Sequence, residues 1–274
     1  MGLRVNTNVF SLSAQRNLSA VSNRLQGSFE KLSSGLRIAR ASDDAAGLAI
    51  SERLRAQIRS LDQAGRNAAD GVSLVQTTEA STSEIGGNLA RLRELAVQAS
   101  NGTLNSGDRE ALDAEFTALV DEIDRVATQT TFNGTNVLDG SVTSISIQVG
   151  TESGETIDID LQGLTASDLS LSGASFDLTT VSNAQAALDT IDSAIDSVTS
   201  FRGDLGAIQN RLQSASRSIA ATSENLSAAE SRIRDVDIAA ETANLTKNSI
   251  LQQAAVSVLA QANVQPQLAL SLLG

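Results

Sequence analysis

The sequence has no cysteine, histidine, tryptophan or tyrosine, and it has a single proline and a single methionine. Each absence removes a class of chemistry. Without cysteine there are no disulfides, thiolate nucleophiles or Cys-based metal sites, and without histidine the usual general base and the commonest metal ligand are missing. Aromatic residues make up 2% of the chain, so its core must be built from Ala, Leu, Ile and Val. Such a core suits closely packed helices better than a cavity shaped around a ligand. Most catalytic constellations are out of reach, so the chain does not read as an enzyme and no cofactor is expected. The start MGLRVNTNVF lacks the apolar core of about 7 to 15 residues that marks a secretory signal. No run reaches the roughly 18 apolar residues of a membrane span. Export without a cleaved leader, and no membrane insertion, are the expectations.

Charge is also missing in places. The net charge is −12, but residues 126 to 201 hold no Lys or Arg, whereas residues 1 to 42 are basic apart from Glu30. An acidic middle argues against nucleic acid as a partner. Of the 20 basic residues all are Arg except Lys31 and Lys247, which fits bidentate Arg to carboxylate pairing between subunits as well as simple compositional bias.

What is present is helical periodicity. A hydrophobic content of 41% excludes wholesale disorder. From Phe201 to Ala243 small or apolar residues alternate at steps of four and three, through Leu205, Ile208, Leu212, Ala215, Ile219, Leu226, Ala229, Ile233, Val236 and Ala240, with only Thr222 polar. This pattern predicts one continuous helix of about 65 Å, at about 1.5 Å per residue, whose stripe faces other helices. At the N-terminal end, Val5, Val9, Leu12, Leu18, Val21, Leu25, Phe29, Leu32 and Leu36 form a stripe. A second one runs from Leu54 through Val75, Leu89 and Leu92 to Ala99. Between them Ser33, Ser34 and Gly35 predict a break, and Ser42 before Asp43 and Asp44 reads as an N-cap with acids in the first turn. Asn101-Gly102 predicts a left-handed glycine cap. A third helix carries Leu112, Phe116, Leu119, Ile123 and Val126.

The period then changes. Asn133-Gly134 and Asp139-Gly140 are turn signals, and Ile145, Ile147, Val149 followed by Ile157, Ile159, Leu161 predict an antiparallel hairpin. Asp158 and Asp160 read as a solvated strand face, since their spacing does not match a Ca²⁺ loop. Residues 163 to 184 read as loop with room for a further short strand, and the helix resumes from Ala186. Beyond Ala243 a weaker stripe follows in Leu251, Ala255, Val258, Ala262 and Leu268. The fold class is therefore mainly α with a small β region, a chain that runs out along helices, turns through a hairpin and returns.

These residues also carry a family resemblance. NTNVFSLSAQRNL at 6 to 18, EKLSSGLRI at 30 to 38, ASDDAAGLAIS at 41 to 51, LRELAVQASNGT at 92 to 103, DEIDRVATQTTFNG at 121 to 134, ENLSAAESRIRDVDIA at 224 to 239 and LAQANVQPQLALSLL at 259 to 273 resemble the two ends of bacterial flagellin. IQVGTESGETIDIDL at 147 to 161 is similar to the hairpin of its rod domain, and about twenty residues stand where flagellins usually carry outer domains. The resemblance implies long antiparallel helices in an inner coiled-coil terminal domain (1–44 and 236–274) and a helical rod domain with a central β-hairpin (45–185, with the returning helix 186–235). It implies self-assembly into a secreted, extracellular helical tube for swimming motility. The implied partners are further copies of the chain, the flagellar export apparatus with an export chaperone, and the filament cap and hook-junction proteins. Arg91, Glu94, Leu95 and Glu115 resemble the patch read by the flagellin-sensing Toll-like receptor of animals, with Ala90 where many recognised flagellins have Gln. Two other classes stay open on sequence. One is a hook-filament junction protein, which shares the terminal helices. The other is a helical signalling hairpin, against which the β signals count.

Overall fold

The computed structural model describes residues 7–173 and 176–271, with side chains as far as Val264. Five helices and two small antiparallel sheets follow in the order α1 (Val9–Ser34), α2 (Ala45–Ala99), α3 (Ser106–Gln129), β1 (Thr131–Phe132), β2 (Thr135–Asn136), β3 (Ser144–Gln148), β4 (Thr156–Asp160), α4 (Val181–Arg234) and α5 (Ile238–Ser271). The chain divides into two compact units, residues 1–58 with 225–274, and residues 59–224. The divisions fall inside α2 and α4.

Helix ends follow local chemistry. Asn8 caps α1 by accepting the Ser11 N–H at 3.1 Å, and α1 ends where Gly35 takes φ 73° and its N–H reaches the Lys31 carbonyl, a left-handed cap that costs a residue without Cβ little. The cap of α2 is Asp44, whose Oδ1 accepts the Gly47 N–H at 2.9 Å, and not Ser42. Asp43 turns backward and accepts from the Ala39 and Arg40 N–H groups. A Cβ on Gly47 would stand 2.5 Å from Asp44 Oδ2 and 2.7 Å from Ile38 Cδ1, so a side chain there would have to displace the capping carboxylate and the Ile38 methyl. At the other end of α2 the expected left-handed glycine is not found, since Gly102 is not among the glycines with positive φ. The last carbonyls are held instead by Arg109, which donates to Ala99 O at 3.1 Å and Asn101 O at 3.0 Å. A guanidinium reaching back from α3 satisfies orphan acceptors and favours the negative end of the helix dipole. Asn105 and Asp108 then form a reciprocal capping box that starts α3.

The unit of residues 59–224 is a solid core. The stripe of α2 is buried at Leu61, Ala68, Val75, Ile85, Leu89, Leu92, Ala96 and Ala99. The gap in it is filled by Thr78 and Thr82, both fully buried, whose hydroxyls donate to the carbonyls of Leu74 and Thr78 one turn back. Asn133 and Gly134, with φ of 50° and 79°, form the two-residue turn between β1 and β2. In the second hairpin Ile145 pairs Ile159 and Ile147 pairs Ile157, placing Ile157 and Ile159 in the core and Asp158 and Asp160 in solvent. Among the described residues no group of three His, Cys, Asp or Glu is placed to hold a metal.

Residues 163–180 add no strand among the described residues. Leu164, Leu169, Leu171 and Leu178 are buried, and their irregular spacing suits turns better than a pleat. The backbone is satisfied locally, Leu171 N–H to Ala166 O at 2.8 Å, and by carboxylates of α3, Asp124 to Ala166 N and Asp113 to Leu178 N. Phe116 and Phe176 meet at 5.0 Å. The returning helix starts at Val181, earlier than Ala186, because Thr180 Oγ1 accepts the Asn183 N–H.

The expectation of one helix from Phe201 to Ala243 fails at Asp235. There α4 stops, and residues 235–237 form a bridge to the link between α1 and α2. Leu36 pairs Asp235, Arg37 N donates to Arg234 O at 2.6 Å, and Val236 N donates to Gly35 O at 3.0 Å. The Asp237 carboxylate then accepts from Ala239 and Ala240 N–H and opens α5. The heptad pattern runs unbroken across the interruption. Two aspartates that prefer caps, with a neighbouring strand-like link to bond, override it. Arg234, with 12% of its side chain exposed, is held by Glu52 at 2.8 Å.

Candidate assembly surface and receptor patch

In the unit of residues 1–58 and 225–274, α1 and α5 lie antiparallel. Asn8 Nδ2 donates to Ala262 O at 2.7 Å, Ser11 Oγ to Asn263 Oδ1 at 2.7 Å, and Gln252 Nε2 to Ser22 Oγ at 3.4 Å. Rising numbers on one helix thus meet falling numbers on the other, down to the bridge of Leu36 with Asp235. The most deeply buried residues of this seam are small. They are Ala14, Ser28 and Ala262.

The large apolar residues are mostly elsewhere. Of the stripe predicted on α1, Leu18, Val21, Leu25 and Leu32 are half-buried, as is Leu36 in the link beyond it. Val9, Leu12 and Phe29 are 53 to 57% exposed. On α5, Ala262 is buried and Ala255 half-buried, whereas Leu251 and Val258 are exposed. Val5 and the side chain of Leu268 lie outside the described residues. Phe10, which fits the α1 stripe, is 59% exposed, and sequence periodicity misses Ile238, Ile250, Val256 and Val264 on α5, all about half exposed or more. The signal that finds them is that α5 is apolar on every side. Ile250, Leu251 and Val256 point in widely separated directions at 100° per residue, and a helix hydrophobic all round is one that expects neighbours all round. Each such side chain carried from water into a contact is worth about 1.5 to 3 kcal/mol at full burial. No proton, metal or nucleophile enters this chemistry.

The second predicted group lies on the other unit. Arg91 donates to Glu115 through Nε and Nη2, at 2.9 and 2.8 Å, and to Glu94 through Nη1 at 2.8 Å. Its pKa is held above the ordinary value first by the Glu115 hydrogen bond and then by Glu94. Arg91 and Glu115 are about half exposed and Glu94 is mostly exposed. Leu95 does not join them: it is 1% exposed and belongs to the core. Beside this patch Arg93 pairs Asp192 at 2.6 Å.

A rod without reactive groups, joined in sequence to terminal helices with their largest apolar residues outward, defines a structural subunit of a polymer. The model of the bacterial flagellin N-terminal helical region matches residues 5–143, and that of the flagellin C-terminal helical region matches residues 188–273. The chain is 50% identical to a flagellin of Halalkalibacterium halodurans, covering 98% of this chain and 99% of that protein. It is 42% identical to a flagellin of Bacillus subtilis, covering 99% and 100%. Its structure is similar to the crystal structure of Bacillus cereus flagellin, with a TM-score of 0.51 and 33% identity over 60% of this chain and 94% of that one. The chain belongs to the bacterial flagellin family. It is a structural subunit of the flagellar filament, an extracellular homopolymer, and not an enzyme. Among the described residues no helix is long and apolar enough to cross a membrane.

Proposed function

We propose that the filament is assembled by laying the outward apolar residues of α1 and α5, Val9, Leu12 and Phe29 with Leu251 and Val258, against the same helices of neighbouring copies. Residues 1–44 and 236–274 then form an inner tube and residues 45–235 the rod around it. The observation that carries this is the exposure of these residues on a helix pair that is already joined by its own hydrogen bonds and by other, half-buried apolar residues such as Leu18 and Leu25. Contacts of one surface with a different surface of the next copy do not close, and generate an open helical polymer. Before assembly the same residues need cover, which fits an export chaperone seated on α5 and delivery by the flagellar export apparatus, with the filament cap and hook-junction proteins sharing the terminal-helix chemistry. The test is elongation of filament seeds by Leu251→Asp and Val258→Asp protein. Growth is expected to stop while the monomer keeps its circular dichroism, and filaments growing at the wild-type concentration dependence overturn the proposal.

A second reading rests on the exposed triad of Arg91, Glu94 and Glu115, whose geometry supports a contact with the flagellin-sensing Toll-like receptor. Arg91→Ala is expected to lower receptor-cell activation by monomer, by a hot-spot loss of about 2 kcal/mol. Wild-type monomer that is silent at saturating dose ends this reading. Leu95→Ala acts on folding instead, as its burial requires.

A further inference from the structure

The turn between α2 and α3 holds one of the two Asn-Gly pairs of the chain, Asn101-Gly102, the other being Asn133-Gly134 in the first hairpin. Both pairs are exposed. Their surroundings differ in a way that bears on a covalent reaction. Asn101 Oδ1 accepts the Thr103 N–H at 3.2 Å, and the Asn101 main-chain carbonyl accepts Arg109 Nη2 at 3.0 Å and the Leu104 N–H at 3.3 Å. Among the described residues the Gly102 N–H has no acceptor, and the space around its Cα is open.

We propose that Asn101 is a site of spontaneous conversion to aspartate and isoaspartate, primed by Thr103 and Arg109. The Gly102 N–H gives its proton to hydroxide, and the nitrogen attacks Asn101 Cγ. A C–N bond forms, and negative charge collects on Oδ1. As that tetrahedral centre collapses, Nδ2 takes a proton from water and leaves as ammonia, closing a succinimide. A water molecule then adds to either ring carbonyl, and the ring opens to aspartate or isoaspartate. The balance is one water in and one ammonia out.

Each neighbour acts on one step. The Thr103 N–H is aimed at the atom that becomes the oxyanion, where a fixed donor stabilises developing charge. The Arg109 guanidinium draws electron density from the Asn101–Gly102 peptide through its oxygen, which makes the Gly102 N–H more acidic. Glycine presents no Cβ to obstruct the ring. At Asn133 the following glycine is just as open, but among the described residues no N–H is aimed at the side-chain oxygen and no guanidinium holds the main-chain carbonyl. The Asn133 φ of 50° is held in a two-residue turn with Phe132 paired to Thr135, and ring closure there must first break the hairpin. Each conversion at Asn101 adds one negative charge to a chain already at −12, and isoaspartate adds a backbone methylene between α2 and α3.

The experiment ages purified monomer at mildly alkaline pH in ¹⁸O-labelled water and follows both Asn-Gly peptides by mass spectrometry, with electron-transfer fragmentation to separate aspartate from isoaspartate. Asn101 is expected to convert several times faster than Asn133 in the folded protein, and the two rates are expected to converge in denaturant. Gly102→Ala is expected to slow Asn101 by about tenfold or more without changing Asn133. Arg109→Gln, shown to be folded by circular dichroism, is expected to slow Asn101 by about threefold to tenfold, the scale of one hydrogen bond in a rate. Arg109→Lys should fall between. Equal rates at the two sites in folded protein, a Gly102→Ala variant that converts as fast as wild type, or a folded Arg109→Gln variant that is not slowed, overturns the proposal.

Discussion

The two compact units use the same residue types to opposite ends. Residues 59–224 bury large side chains, so that Phe116, Leu92, Ile123, Leu138 and Ile159 are all at 1% exposure or less. Among the described residues, 1–58 with 225–274 bury one large side chain, Ile38, beside the small Ala14, Ser28, Ser51 and Ala262, and leave Phe10, Phe29, Ile250 and Val258 more than half exposed. Helix α1 is about as apolar as the helices of the rod and α5 is more so, so the difference is one of orientation. One unit has solved its hydrophobic problem within the chain. In the proposed assembly the other keeps it for the next subunit, and its intramolecular pairing through hydrogen-bonded Asn, Ser and Gln sets the register of two helices while Phe29, Ile250 and Val258 stay exposed.

The largest expected effect that tests this comparison is in the rod. Phe116→Ala removes a ring at 1% exposure that packs on Phe176 at 5.0 Å, and should cost about 3 to 5 kcal/mol of monomer stability. Denaturant unfolding measures it. A loss of less than about 1 kcal/mol would mean that the core is not closed within one chain.

Phe29→Ala makes the matching change in the other unit. Phe29 is 57% exposed, so the monomer should lose no more than about 0.5 kcal/mol. The filament should lose about 1.5 to 3 kcal/mol per subunit, which raises the critical concentration by about tenfold or more. Sedimentation at graded concentration reads this directly. If monomer and filament suffer alike, the proposed division of labour is wrong.

A third change addresses the link between α1 and α2. Gly35 sits at φ 73° with open space where a Cβ would stand, so Gly35→Ala meets no clash and only the left-handed penalty, about 1 to 2 kcal/mol. Its carbonyl accepts from Val236. Hydrogen exchange should therefore quicken at the amides of Val236 and Arg37 before any change at Leu205 or Leu212 in the rod core. Simultaneous quickening throughout would show one cooperative unit instead of two.

Element types were legible wherever one physical signal acted alone. Alternation placed Ile145, Ile147, Ile157 and Ile159 in their hairpin, and the Asn133-Gly134 turn needed no tertiary help. Periodicity failed where polar side chains offered the backbone a better partner than the next helical turn. Asp237 and the bridge of Asp235 to Leu36 interrupt a faultless heptad run. Asp44 displaces Ser42 as a cap, and Arg109 replaces a glycine cap with a group ten residues away from the carbonyl it serves. Long-range donors of this kind leave no local trace. The receptor group shows the same limit. Arg91, Glu94 and Glu115 come together, but Leu95 turns one helical position inward to the core.

The smallest effect expected is electrostatic, and it separates the units by the pH at which it is lost. In the terminal unit the Arg234 hydrogen bond is the main cause that holds Glu52 below its ordinary 4.5. In the rod the Arg93 hydrogen bond holds Asp192 below its ordinary 3.8. A carboxylate with a depressed folded pKa contributes stability that is fully present above its unfolded value and is lost as pH falls through the folded one. Glu52→Gln should therefore lower the melting temperature slightly near neutral pH, and its difference from wild type should start to shrink below about pH 4.5. Asp192→Asn should behave with the same sign but begin to converge only below about pH 3.8. Both carboxylates are exposed, so salt should shrink both differences. Glu52 differs in one respect, since its partner Arg234 is mostly buried and its Nε atom finds no acceptor among the described residues. Removing Glu52 leaves a desolvated guanidinium with less support, so the salt dependence should be weaker there than at Arg93 and Asp192. Melting curves at low and high salt across this range decide it, and an equal salt response at the two sites would show that Arg234 is as well hydrated as Arg93.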